Sequence, residues 1–143
     1  MEFVTENGKK RVEINEASFR DAVNLKKAAF KCLLKMPDFS SLDVTTLEGI
    51  NTSKLFESLA QLIINIDTSD EFDNAIMKCL SCCVYDGFYK IDENLFNDKA
   101  EAREDYYEIV SKCAEVNLRP FFKSLVSELK QRFKAIQTKE NQK

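Results

Sequence analysis

Thr68-Ser-Asp-Glu-Phe-Asp-Asn-Ala-Ile-Met-Lys-Cys-Leu-Ser-Cys-Cys-Val-Tyr-Asp-Gly87 is the stretch on which the fold class turns. Thr68 with Glu71 three residues on has the spacing of a capping box, in which each side chain satisfies an amide at the helix start. Phe72, Ala75, Ile76, Cys79, Leu80 and Cys83 then recur every three or four residues, so one face is apolar. Asp86-Gly87 fits a stop, since glycine accepts the left-handed conformation after a last helical turn. These signals predict a helix over residues 69–85.

Four more segments read the same way. Residues 18–36 open on Ser18 with Asp21 and close before Pro37. Their apolar arc spans about 200°, wider than the roughly 100° stripe of a surface helix. Lys26 falls inside that arc. Either its stem snorkels over the core, or part of the face meets something outside the domain. Residues 52–66 carry Leu55, Phe56, Leu59, Leu62, Ile63 and Ile66 on one face. Asp98 with Glu101 opens a helix over 99–116, and Asn117 interrupts it. Residues 118–137 carry the strongest pattern, with Leu118, Phe121, Phe122, Leu125, Val126, Leu129, Phe133 and Ile136. Between them, 38–51 is an ordered loop, 88–97 a connector with an extended piece near Phe88–Ile91, and 138–143 a frayed tail.

Residues 1–15 have a different character. Phe3–Thr5 and Arg11–Ile14 flank Asn7-Gly8, the favoured dipeptide of a type I′ hairpin. A lone hairpin is marginal, so it must pack on the helices or pair with another chain. The expectation is a single, mainly α domain over 1–143: a compact bundle of about five helices with a short N-terminal β-hairpin. Only three glycines and two prolines among 143 residues agree with it, because an all-β fold needs more turns.

Composition narrows the function. The net charge of −3, with signs mixed along the chain, gives no basic footprint for nucleic acid. No apolar run reaches the roughly 20 residues of a membrane span, and the first residues do not form a signal peptide. A cytoplasmic protein is expected. The chain has no histidine, which removes the commonest general base and metal ligand. Cys79, Cys82 and Cys83 contain a Cys-x-x-Cys spacing. Only the isolated Cys32 and Cys113 remain to complete a zinc set, and the pair lies late in a helix, where the dipole disfavours a thiolate. They read as core cysteines. Asp67, Asp70, Glu71 and Asp73 lack the glycine and the spacing of a calcium loop and read as helix-start acids. No catalytic centre, metal site or cofactor is expected.

Around Tyr106-Tyr107 the helical spacing puts Tyr106 in the buried stripe and Tyr107 outside it. Arg103 and Asp105 read either as solvated charges or as specificity charges at a protein interface. Ala102-Arg-Glu-Asp-Tyr-Tyr-Glu-Ile-Val110, followed by Asn117-Leu-Arg-Pro-Phe-Phe122, resembles the tail assembly chaperones of long-tailed phages infecting Gram-positive bacteria. The short N-terminal hairpin, Leu25-Lys26-Lys27 and the length agree. The resemblance implies a helical protein that forms homo-oligomeric rings or spirals. It would hold the tape measure protein soluble while tail-tube subunits assemble, with no part for nucleic acid or membrane. A coiled-coil-prone client exposes apolar seams, and a helical surface with surplus apolar area would cover them. The candidate protein-binding residues are Leu25, Lys26, Ala29 and Leu33 on the wide face, Arg103 and Tyr107, and Phe121 and Phe122, the last two also fitting a core. Two other classes stand beside this one: a non-catalytic helical adaptor or regulatory domain, and a small enzyme using a cysteine thiolate or carboxylates.

Overall fold

A computed structural model describes residues 1–34, 70–121, 124, 127, 128 and 131, without the side chains of 32–34. The expected helix 52–66, the loop 38–51, the cap residue Thr68 and the tail 138–143 lie outside the described residues. The order is β1 (Glu2–Val4), β2 (Arg11–Glu13), α1 (Phe19–Leu34), α2 (Asp70–Leu80), β3 (Val84–Tyr85), β4 (Tyr89–Lys90), α3 (Glu93–Asp98) and α4 (Ala100–Leu118), then a 3-10 turn at Arg119–Phe121. The chain is mainly helical, with four α-helices among the described residues rather than the five expected over the whole chain.

Helix α1 begins where Ser18 predicts. Its Oγ accepts the Asp21 amide at 3.2 Å, satisfying one of the orphan donors of the first turn. Leu25, Ala28 and Ala29 are buried, and α1 packs chiefly on α2. Phe72, Ala75, Ile76, Cys79 and Leu80 form the buried face of α2, as their spacing requires. Each fully buried Leu or Ile contributes about 1.5–3 kcal/mol of burial free energy, so this seam is a principal source of stability.

Helix α2 stops at Leu80, five residues before the expected end. Val84 and Tyr85 leave it to form a strand, with Val12 opposite Tyr85 and Glu13 opposite Val84. Asp86-Gly87 is therefore not a helix stop but the turn of a second hairpin. Both residues have positive φ, 55° and 77°, the condition a type I′ turn imposes. The result is a four-stranded antiparallel sheet in the order β1-β2-β3-β4, larger than the single hairpin expected. Val12, Ile14, Tyr85 and Ile91 carry its inner side into the core shared with the helices.

At Asn7-Gly8 the hairpin forms, but the turn differs from expectation. Lys9, not Gly8, takes the left-handed conformation (φ 54°), and the Lys9 amide closes on the Thr5 carbonyl at 3.2 Å. The connector also holds more structure than a loop. Asp92 caps the short helix α3 by accepting the Leu95 amide at 3.1 Å. Asp98 ends α3, so the expected Asp98–Glu101 box is absent and Lys99 occupies the N-cap of α4 with no side-chain cap bond. Helix α4 runs through Asn117 to Leu118. The segment expected to begin a helix at 118 instead turns as a 3-10 helix over Arg119–Phe121, and Ser124, Ser127, Glu128 and Gln131 are helical beyond it.

Candidate functional site

Two features converge on α4: a polar lock that fixes the sheet, and an aromatic groove on the surface. The lock centres on Asp105, which is fully buried. Its Oδ1 accepts the Gly8 amide at 3.0 Å, and its Oδ2 accepts the Tyr85 hydroxyl at 3.0 Å. A Cβ at residue 8 would lie 2.5 Å from Oδ2, so glycine is required here for close approach. The Glu6 amide donates to the Glu108 carboxylate at 3.0 Å, and Asn7 Nδ2 donates to the Glu104 carbonyl at 3.2 Å. One turn of β-hairpin is thereby seated on one face of α4. Burial first, then the Asp105 hydrogen bond, pushes the Tyr85 phenol well above its ordinary range. Asp105 is thus neither a solvated charge nor an interface charge.

Asn117 provides a second lock. Its Oδ1 accepts the Ala17 amide at 2.9 Å, and its Nδ2 donates to the Cys113 carbonyl at 2.9 Å. A buried asparagine is thus satisfied at both ends, and it pins the entry of α1 to α4. Neither lock is visible without the fold, because Gly8 with Asp105 and Ala17 with Asn117 lie about a hundred residues apart in sequence. The sequence signals were modest: an acid next to the buried stripe, and an asparagine at a helical position with apolar neighbours.

The groove is lined by residues of α2, α3 and α4. Met77 of α2, Glu93, Phe96 and Asn97 of α3, and Arg103, Tyr106 and Tyr107 of α4 line a volume of about 380 Å³. Tyr106 meets Phe96 edge to face at 5.2 Å and Tyr107 at 5.3 Å, so the aromatic wall is pre-arranged. Burial, then the charge of Asp73, raises the Tyr106 phenol. Arg103 Nε donates to the Phe96 carbonyl, which ties α3 to α4 and holds the side chain along the wall. Tyr107 remains 58% exposed.

Among the described residues, the expected binding residues do not form one surface. Arg103 and Tyr107 come together in the groove. Leu25 and Ala29 are buried in the α1 core. Lys26 reaches Glu128 at 3.2 Å in an intramolecular ion pair. Phe121 is half-buried with its ring 6.4 Å from that of Phe19, itself 75% exposed. The side chains of Leu33 and Phe122 lie outside the described residues.

Three of the cysteines are core residues as read: Cys79, Cys83 and Cys113 are buried. Cys82 is the exception and is exposed. Burial pushes Cys79 up to about 12. A hydrogen bond from Cys113 lowers Cys83 and raises Cys113, a polarised pair sealed from solvent. Among the described residues no group of His, Cys, Asp and Glu is arranged to hold a metal ion, and no helix is long and apolar enough to cross a membrane.

A mainly helical chain, closed by a small antiparallel sheet and presenting an aromatic groove, is the class these features define. Residues 7–130 match the family model described as phage tail assembly chaperone protein, TAC, and the chain belongs to that family. No curated protein and no solved structure matches it. The matched range takes in the Gly8–Asp105–Tyr85 and Ala17–Asn117 contacts, the groove and the two segments that carry the resemblance.

Proposed function

We propose that this protein is a non-catalytic tail assembly chaperone that self-associates and binds the tape measure protein in the host cytoplasm while tail-tube subunits assemble. The family match over residues 7–130 carries the reading. The groove agrees with it in chemistry. An amphipathic client helix needs an apolar trough with a few polar groups at its rim, and aromatic, Met and Arg side chains are the types enriched at such contacts. Met77, Phe96, Tyr106 and Tyr107 supply the trough, and Glu93 and Arg103 supply the rim. Tyr107 is the residue whose truncation costs the client most contact, since its ring is both exposed and braced by Tyr106.

The test is co-purification of tagged chain with co-expressed tape measure protein, wild type against Tyr107→Asp. Recovery with wild type and loss with the variant, at unchanged helicity, supports groove binding. Equal recovery with both moves the client to another face. No recovery with either removes the client from the reading.

A further inference from the structure

Among the described residues the sheet ends on two unpaired edges, β1 and β4, of opposite character. We infer that β4 of one copy pairs antiparallel with β1 of the next, joining copies edge to edge, head to tail; this rests on the self-association proposed above and names its surface. Four strands alternate in direction, so β4 and β1 of identically oriented copies run antiparallel and the sheet continues without inversion.

Hydrogen-bond parity sets which backbone groups are available. Met1 and Ile14 exchange both backbone bonds, at 2.9 and 2.7 Å, and the Thr5 amide bonds the Lys10 carbonyl at 2.9 Å. Alternation along an antiparallel pair then turns the amides and carbonyls of Glu2 and Val4 away from β2. On the other edge, the Ile91 amide bonds the Cys83 carbonyl at 3.3 Å, so Lys90, opposite Val84, turns its backbone groups outward.

Side-chain chemistry then selects the register. Glu2, Glu13, Val84 and Lys90 lie in one row across the sheet on its outer face. Setting Lys90 opposite Glu2 of the next copy keeps that face continuous. The same register sets Phe88, 87% exposed, opposite Val4 of the next copy, 60% exposed. Glu2 already holds Arg11 of its own hairpin at 2.6 Å, so Lys90 adds a second cation to that carboxylate, while two exposed apolar side chains cover one another. Glu6 on the β1 side and Lys99, which stacks over Tyr89 at 4.1 Å, extend the same contrast, acidic on one edge and basic on the other. Charge on short edges ordinarily guards against strand addition. Here it disfavours like edges and favours unlike ones. Repetition of an unlike contact builds a ring or a spiral rather than a closed dimer, and so short a contact makes the assembly reversible.

Sedimentation velocity across a concentration series tests this on the full chain. Wild type should climb in mass. Lys90→Glu alone and Glu2→Lys alone should each weaken association by about tenfold or more, and the double variant should recover it. Val4→Pro removes only an outward amide, so it should block association with the far-ultraviolet spectrum unchanged. A wild type that associates, with all the variants associating equally well, overturns this edge pairing and leaves self-association through another surface. A wild type that stays monomeric throughout overturns both.

Discussion

The Gly8 amide and the Asp105 carboxylate meet at 3.0 Å across 97 residues of chain, and no side chain larger than hydrogen fits at position 8. Gly8→Ala should therefore destabilise the fold by roughly 1–3 kcal/mol through forced displacement of the turn. Asp105→Ala should cost about 2–4 kcal/mol, because it strands the Gly8 amide and the Tyr85 hydroxyl together. Urea unfolding of the two variants measures both. The double variant should lose less than the sum, since both changes break one lock.

Tyr85 makes the lock sensitive to alkali. Its folded pKa lies above the ordinary phenol value of 10.0, so the buried neutral phenol stabilises the fold fully below that pH. That contribution is lost as pH rises beyond it, because ionisation is easier in the unfolded chain. Tyr85→Phe should be less stable at pH 7 yet show a flatter decline above pH 10. Thermal midpoints at several alkaline pH values would show the two curves converging.

Asn117→Leu keeps the volume but removes the acceptor of the Ala17 amide and the donor to the Cys113 carbonyl. The expected cost is about 2–3 kcal/mol, concentrated at the entry of α1. Hydrogen exchange should report faster opening at Ala17 and in the first turn of α1, with the centre of α2 unchanged.

The legible parts of this fold were those that depend on neighbours in sequence. Ser18 and the period of residues 72–80 place two helices because cap and apolar face are local properties. Asp86-Gly87 misled because positive φ serves a helix C′ position and a type I′ turn equally well. What decides between them is Val12 opposite Tyr85, a contact made more than seventy residues away. Asp105 was obscured by Arg103 and Glu104 beside it, which gave the segment the look of a solvated face. In the groove, Arg103 and Tyr107 were recognisable from their place off the buried stripe. Met77 and Phe96 were not, because only the packing of α2 and α3 on α4 brings them alongside.

Thiol chemistry separates a chaperone from a thiolate enzyme. Cys82 is exposed, so it should label first with iodoacetamide, ahead of Cys79, Cys83 and Cys113. Partial desolvation of its sulfur, then the neighbouring Cys83, raises its pKa, so it should label more slowly than a free cysteine at the same pH. Peptide mapping after timed alkylation would rank the four. A Cys82 or Cys83 reacting faster than free cysteine would favour the enzyme reading.

The proposed holding of a tape measure protein against aggregation is measured by light scattering of that protein on dilution from denaturant. With wild-type chain in equimolar amount the scattering should stay near baseline, and with Tyr107→Asp it should rise as it does for the client alone. Scattering that rises equally with wild type, Tyr107→Asp and no added chain would show that the chain does not hold this client.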